Sequence, residues 1–335
     1  MTSIKDIAKM CGVSVPTVSR VINNRGRYSK ETEEKVRRAI AETGYCTNLA
    51  AKSLRTNRFP NIGIVVPDIT NEFFASITLA IQKVLSENAY TAVICNTNEQ
   101  PAEQARQLEM FRSGQVSGVI FISGEDITDR ELANDIPKVF VDRIPWNAGA
   151  KNAVTVEADN QQGGYLATSA LLDAGCRRIA ALFDGRGLTT QVARYSGYLK
   201  AHTDRGMEVC RELYRPVTQV TFQDGYEATK QMLADGAVFD GIFCYSDLLA
   251  CGALKALSEA GVAVPQQVKV AGFDGISISE IYTPSITTVI QPVEEMGKTA
   301  AERILAMIRG EEIRERKCLL PVRLAEREST KLTTK

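Results

Sequence analysis

Histidine occurs once, at His202, and tryptophan once, at Trp146. A single imidazole excludes a histidine-rich metal centre and argues against any catalytic triad built on histidine. The eight cysteines, Cys11, Cys46, Cys95, Cys176, Cys210, Cys244, Cys251 and Cys318, stand apart with no CxxC pair. That scatter speaks for reduced, buried thiols and against a disulfide framework or a zinc site. No apolar run approaches the roughly 20 residues that span a bilayer. The start, Met1-Thr2-Ser3-Ile4-Lys5-Asp6, has no apolar stretch behind it resembling a signal peptide, so a cytoplasmic location without membrane contact is expected. Net charge is missing too, since 40 Lys/Arg balance 40 Asp/Glu. The balance hides an asymmetry: residues 1–60 hold twelve Lys/Arg against five Asp/Glu, a net of +7, which leaves −7 on the other 275 residues. A basic head on an acidic body is the footprint of a nucleic-acid-binding module attached to something that does not bind nucleic acid.

The basic head carries a helix-turn-helix pattern. Ile4, Ile7, Ala8 and Cys11 fall on one stripe of a short helix whose start is marked by Ser3 with Asp6 three residues on. Gly12 permits a tight turn, Ser14 is a natural N-cap, and Pro16 is tolerated in a first helical turn. Val18, Val21 and Ile22 then repeat the apolar spacing, while Val15, Pro16, Ser19 and Arg20 lie on the opposite face. An exposed arginine beside small residues at the front of a second helix suits the reading of base edges in a major groove. Ser29 can cap a third helix with Val36, Ala39 and Ile40 inside and Gly44 at its end. Residues 47–58 are about two turns of good helix formers, too short to be stable alone: a plain linker or, given the apolar Leu49 and Leu54 and the basic Lys52, Arg55 and Arg58, a hinge that folds against DNA.

From Asn61 onward the pattern is strand then helix, repeated. Apolar strands are expected at 62–66, 91–95, 118–122, 138–141 and 154–156, and again at 178–183, 241–244, 268–273 and 288–290, with a last one near 318–322. Amphipathic helices are expected at 72–87, 101–113, 161–173, 192–204, 224–233, 248–260 and 293–308. Continuous apolar strands between such helices mean parallel sheets covered on both faces, here in two doubly wound α/β subdomains.

These residues resemble the lactose-repressor (LacI/GalR) family of bacterial transcription regulators over nearly the whole chain. The matching phrases are Ile4-Lys-Asp-Ile-Ala-Lys9, Val13-Ser-Val-Pro-Thr-Val-Ser-Arg-Val-Ile-Asn23, Ala50-Ala-Lys-Ser-Leu-Arg55, Val66-Pro-Asp-Ile-Thr-Asn71, Gly272-Phe-Asp274 and Thr287-Thr-Val-Ile-Gln-Pro292. The resemblance implies a helix-turn-helix domain over 1–46, a hinge segment over 47–60 and an effector-binding core of periplasmic-binding-protein type over 61–335. Crossings near 160, 290 and 322 would divide that core into an N-subdomain, about 61–160 and 292–321, and a C-subdomain, about 161–291 and 322–335. It further implies a cytoplasmic homodimer on a pseudo-palindromic double-stranded operator, without cofactor or metal. Val15, Pro16 and Arg20 match base-reading positions, Thr17 and Ser19 match residues near phosphates, and Leu54, beside Arg55, matches a leucine that wedges into a minor-groove base step.

The effector would lie between the subdomains, at the C-terminal ends of strands. Sugars need aromatic faces for their C–H sides and carboxylate, amide or guanidinium groups for their hydroxyls. Asn71, Phe73 and Phe74 follow the first strand, Arg194 and Asp274 match effector-gripping positions, Ser246 and Asp247 follow the Phe243 strand, and Trp146 and Phe222 are candidate walls. The chain departs from the family's pattern at three pocket loops. It has Ser246-Asp247 where Asn-Asp is usual, Asp184-Gly-Arg-Gly where Gly-Pro is usual, and Gly275 in place of a second acid after Asp274. The expectation is a non-enzymatic regulator, a repressor of carbohydrate-utilisation genes controlled by a small sugar-like effector. The competing reading is a sugar-binding or sugar-processing protein with an incidental helical head, which a nucleophile beside a base or an export signal would favour.

Overall fold

The computed structural model describes residues 2–24, 26–45, 60–111, 116–123, 127, 136–146 and 153–331. Two compact units divide between Phe59 and Pro60. In the first, Ile4–Cys11 (α1), Val15–Ile22 (α2) and Lys30–Thr43 (α3) are helices of 8, 8 and 14 residues, each too short to persist alone in water. Capping sets their limits. Ser3 and Asp6 form a reciprocal capping box on α1, Ser14 and Ser29 accept the Thr17 and Thr32 amides, and Gly12 and Gly44 end their helices in the left-handed conformation. Ile7, Ala8, Val18, Val21, Val36 and Ala39 close into one small core, and their burial holds the three helices together at roughly 0.8 kcal/mol per methylene. Of the expected hinge, residues 47–59, with Leu54 and Arg55, lie outside the described residues.

The second unit contains two six-stranded sheets. Asn61–Val66 (β1), Thr91–Asn96 (β2), Gly118–Ser123 (β3), Lys138–Arg143 (β4) and Val154–Ala158 (β5) form the first with Lys317–Leu320 (β11), in the order β11-β5-β4-β3-β1-β2. Ile179–Asp184 (β6), Tyr214–Val217 (β7), Gly241–Cys244 (β8), Lys269–Asp274 (β9) and Thr287–Ile290 (β10) form the second with Arg323–Ala325 (β12), in the order β12-β10-β9-β8-β6-β7. Pairings among the described residues are parallel except the antiparallel β10–β12 pair. The helices are Glu72–Glu87 (α4), Pro101–Met110 (α5), Asn160–Asp173 (α6), Thr189–Thr203 (α7), Phe222–Ala234 (α8), Asp247–Glu259 (α9), Ile278–Ile281 (α10) and Val293–Arg309 (α11). The chain leaves the first sheet after β5, returns through α11, which packs on α4 and over β3, β4 and β5, and leaves again between β11 and β12.

Two strands differ from the sequence reading for identifiable reasons. The expected strand near 318–322 is two short strands, one in each sheet, because the chain crosses between Leu320 and Arg323. β7 was not expected: its Tyr-Arg-Pro-Val sequence is polar, and Pro216 lacks an amide to donate, both tolerated because β7 is an edge strand paired with β6 alone.

Candidate functional site

The outer face of α2 is the candidate nucleic-acid surface. Pro16 and Arg20 are exposed, and Val15, Thr17 and Ser19 are half-buried beside them, while Val18 and Val21 hold the helix to the core. Among the described residues Arg20 forms no ion pair. Its stem lies against Gly26, where an added Cβ would come within 3.3 Å of the Arg20 Cδ and where φ is +84°. The Thr17 hydroxyl is shared with Ser14 at 2.9 Å, and the Ser19 carbonyl accepts from Asn23 Nδ2 at 2.6 Å.

The second candidate site is a cavity of about 450 Å³ built from both sheets at the C-terminal ends of their strands. From the first sheet come Asp68, Thr70 and Asn71 after β1, Asn98, Glu99 and Gln100 after β2, and Asp142 and Arg143 at the end of β4. Thr190, Gln191 and Arg194 of α7, Gln219 and Thr221 before α8, Tyr245 and Ser246 after β8, and Asp274 at the end of β9 supply the other wall.

Arg194 is the most constrained of these groups. Its Nε donates to Asn160 Oδ1 at 2.8 Å, Nη1 donates to the Tyr245 carbonyl, and Nη2 lies 3.6 Å from Asp274 Oδ1. The guanidinium also stacks 3.7 Å above the Phe273 ring. Its backbone is fixed by close helix packing: a Cβ on Gly164 of α6 would fall 2.1 Å from the Arg194 carbonyl oxygen. Burial lowers the Arg194 pKa against the pull of Asp274 and Asp142. Burial likewise pushes the Asp274 carboxyl up to about 7, although Arg194 opposes the shift. Gln291 Nε2 donates to Asp274 Oδ1 at 2.8 Å.

Asp142 is a second buried carboxyl on the cavity wall, its pKa raised by burial against Arg194 and Arg143, and its Oδ1 has no hydrogen-bond partner among the described residues. Backbone strain concentrates here. Of the six non-glycine residues with positive φ among the described residues, Asn98, Glu99, Asp142 and Asp274 line the cavity. Each such residue costs on the order of 1–3 kcal/mol and persists where its surroundings dictate it, a pattern of binding sites.

Asn71, Phe73, Phe74, Arg194, Ser246 and Asp274 of the expected effector set therefore meet in one cavity. Asn71 and Ser246 also cap α4 and α9 through the Phe73 and Leu249 amides. Phe73 and Phe74 pack edge to face at 5.3 Å, and Arg143 lies 5.1 Å over Phe74. Three other residues of that set are not among those that line the cavity. Trp146 is one of them, 69% exposed. Phe222 is 39% exposed at the first turn of α8, whereas its neighbours Val220 and Thr221 face the cavity. Asp247 is fully buried and spent on structure, its Oδ2 accepting the Gly275 and Ile276 amides at 2.8 and 2.9 Å. Sequence reasoning missed Glu99, Asp142, Arg143 and Gln191. For Asp142-Arg143 the signal was available, two charged residues ending an apolar parallel strand, as Asp274 does. Among the described residues no cluster of three His, Cys, Asp or Glu could hold a metal, and no helix is long and apolar enough to cross a membrane.

Residues 3–48 match the family described as bacterial regulatory proteins, lacI family, and residues 168–330 match the periplasmic binding protein-like domain. The ribose operon repressor of Halalkalibacterium halodurans is 34% identical over 99% of this chain and 98% of its own length. The chain belongs to the lacI family of bacterial regulatory proteins. As a member of the lacI family it is a DNA-binding transcriptional regulator, with a helix-turn-helix head and a two-sheet core of periplasmic-binding-protein type. Among solved structures, the lac repressor dimer bound to operator and the anti-inducer ONPF superposes with a TM-score of 0.88 at 26% identity, covering 98% of this chain and 99% of that one. A periplasmic binding protein/LacI transcriptional regulator from Alkaliphilus metalliredigens QYMF, complexed with D-xylulofuranose, gives 0.72 at 30% identity over 82% of this chain and 100% of that one.

Proposed function

We propose that this lacI-family chain binds a pseudo-palindromic operator as a homodimer, represses carbohydrate-utilisation genes from the cytoplasm, and is controlled by a small sugar or sugar derivative held in the cleft. The observation that carries the effector reading is that both sheets contribute walls to one cavity. A ligand there touches both subdomains at once, so it binds their alternative arrangements with different affinity and biases them. Its volume falls in the range of about 300–1,000 Å³ for small-molecule sites, and its amides, carboxyls and arginines beside Phe73 and Phe74 suit hydroxyls on one side and C–H faces on the other. The names of its relatives, a ribose operon repressor and a regulator complexed with D-xylulofuranose, point to the same ligand class. Val15, Pro16 and Arg20 would read bases, Thr17 and Ser19 would meet phosphates, and Leu54 and Arg55 would enter the minor groove as the hinge folds. Two of the cleft acids hold arginines, Asp274 with Arg194 and Glu99 with Arg143, and Asp68 caps its own turn at Thr70, which favours binding over catalysis.

The test begins by selecting operator sites from randomised DNA with the full-length protein. Neutral pentoses and hexoses, D-ribose and D-xylulose first, are then titrated into the complex while anisotropy is followed. At least one sugar is expected to shift operator affinity. If none of them changes operator affinity or melting temperature, the sugar assignment is wrong.

A further inference from the structure

Four acids, Asp68, Glu99, Asp142 and Asp274, share the cavity wall with two cations, Arg143 and Arg194. Both cations are engaged. Arg194 is held by Asn160, the Tyr245 carbonyl and Asp274. Arg143 donates through Nη1 to Glu99 Oε1 at 2.7 Å. The second Glu99 oxygen, Oε2, takes another guanidinium, with Arg186 Nη1 at 2.9 Å. Arg186 comes from the opposite subdomain, in the Asp184-Gly185-Arg186-Gly187 loop after β6, where it is also gripped through Nε and Nη2 by the fully buried Asp184 carboxylate. An alternating relay, Arg143, Glu99, Arg186, Asp184, thus crosses the cleft with Glu99 at its centre. Burial alone would raise the Glu99 carboxyl, but the two arginines outweigh it and hold the group below the ordinary carboxylate range, so its charge is present at neutral pH.

Resting on the reading of the cleft as the effector site, we propose that Glu99 is a specificity-determining residue that acts as an anion filter, restricting the effector to an uncharged polyhydroxyl compound and rejecting its phosphate esters. A phosphate group brings close to two negative charges to a cleft whose arginines Arg143 and Arg186 are already occupied by the Glu99 carboxylate. To reach Arg143 or Arg186 it must displace Glu99, and the displaced carboxylate would lose both partners in a largely buried position. A neutral sugar meets no such conflict, since its hydroxyls can accept from the arginines and donate to the acids without separating them.

The filter is tested on full-length protein with inorganic phosphate as the probe, read as a melting-temperature shift and by calorimetry. Glu99→Gln keeps the shape and removes the charge. It is expected to gain stabilisation by millimolar phosphate relative to the wild type, and the gain should vanish when Arg143→Gln is added, which separates the cleft from phosphate bound at the basic head. Glu99→Asp, which retains charge but is too short to span both arginines, should gain less, and it serves if the glutamine variant fails to fold. In parallel, the affinity ratio of D-ribose to D-ribose 5-phosphate should narrow by at least about tenfold in Glu99→Gln. Variants no more responsive to phosphate than the wild type, or a wild-type response that Arg143→Gln removes, would overturn the filter. A phosphate gain with no neutral sugar binding in any variant would instead uphold the filter and sink the sugar reading.

Discussion

The two ligand-facing surfaces of this chain hold their cations in opposite ways. On the head, Arg20 is exposed and has no acidic partner among the described residues, and its stem lies beside Gly26. In the cleft, Arg194 and Arg143 are each bound to an acid before any ligand arrives. The difference follows from the targets. DNA presents strong acceptors at phosphates and guanine edges, so a solvated guanidinium can be handed to them at little cost beyond its own ordering. A hydroxyl-rich small molecule offers weak dipoles, and a site must be rigid beforehand to gain affinity from them. Changes on the head should therefore alter recognition and leave the fold intact, whereas changes in the cleft should affect binding and stability together.

The sharpest break in that contrast is Arg194→Ala. Removing one partner of a buried ion pair costs about 3–5 kcal/mol, and here Asn160 would lose its donor while Asp274 would lose its guanidinium and keep only the Gln291 amide. Thermal melting should show that loss, and effector control of operator binding should disappear with it. A variant that melts like the wild type would mean that the Arg194 network contributes no rigidity. Gly164→Ala tests the same rigidity without touching a cleft side chain. Its Cβ would meet the Arg194 carbonyl oxygen at 2.1 Å, so α7 must shift, at the upper end of the 1–3 kcal/mol typical of overpacking. The expected signature is weakened effector binding with operator affinity retained, and unchanged calorimetry would show that Arg194 tolerates displacement.

On the head, Arg20→Ala should cost about 1–3 kcal/mol on the selected operator and far less on random DNA, with no change in melting temperature. Equal losses on both DNAs would make Arg20 a phosphate contact and blur the contrast with the cleft.

Locality of the determining interactions explains what could be read from the sequence. The α2 surface rests on signals within a dozen residues, the Ser14 cap, Pro16 and the Val18–Val21–Ile22 stripe, and the parallel strands announce themselves as apolar runs. About a third of the cavity lining was legible, six of nineteen residues, and Asn71, Phe73, Phe74 and Asp274 among them lie at or soon after strand ends. Glu99 was not legible. Its role depends on Arg143, 44 positions away, and on Arg186 in the other subdomain, and its left-handed backbone has no glycine to mark it. Trp146 shows the same limit from the other side, since an aromatic residue after a strand suits a sugar wall in any sequence, yet the residue is 69% exposed and off the cavity lining.

The finest test of the contrast is pH, which should act on the cleft through its buried carboxyls between about pH 6 and 8. Asp274 titrates near 7 in the folded chain, well above the roughly 3.9 of an unfolded aspartate. The native state therefore keeps a proton that the unfolded state has released between those values. Stability from this group falls as pH rises from about 4 through about 7 and is constant above. Effector binding should run the other way, because an ionised carboxylate accepts sugar hydroxyls in charge-assisted hydrogen bonds and a ligand selects the form that holds it better. One such proton limits the gain to about tenfold in affinity between pH 6 and 8, roughly 1.4 kcal/mol. Calorimetry across that range on the wild type and on Asp274→Asn decides the matter. A flat profile in the wild type, or the same slope in the asparagine variant, would place the titrating group elsewhere and leave Asp274 as a fixed counter-charge to Arg194.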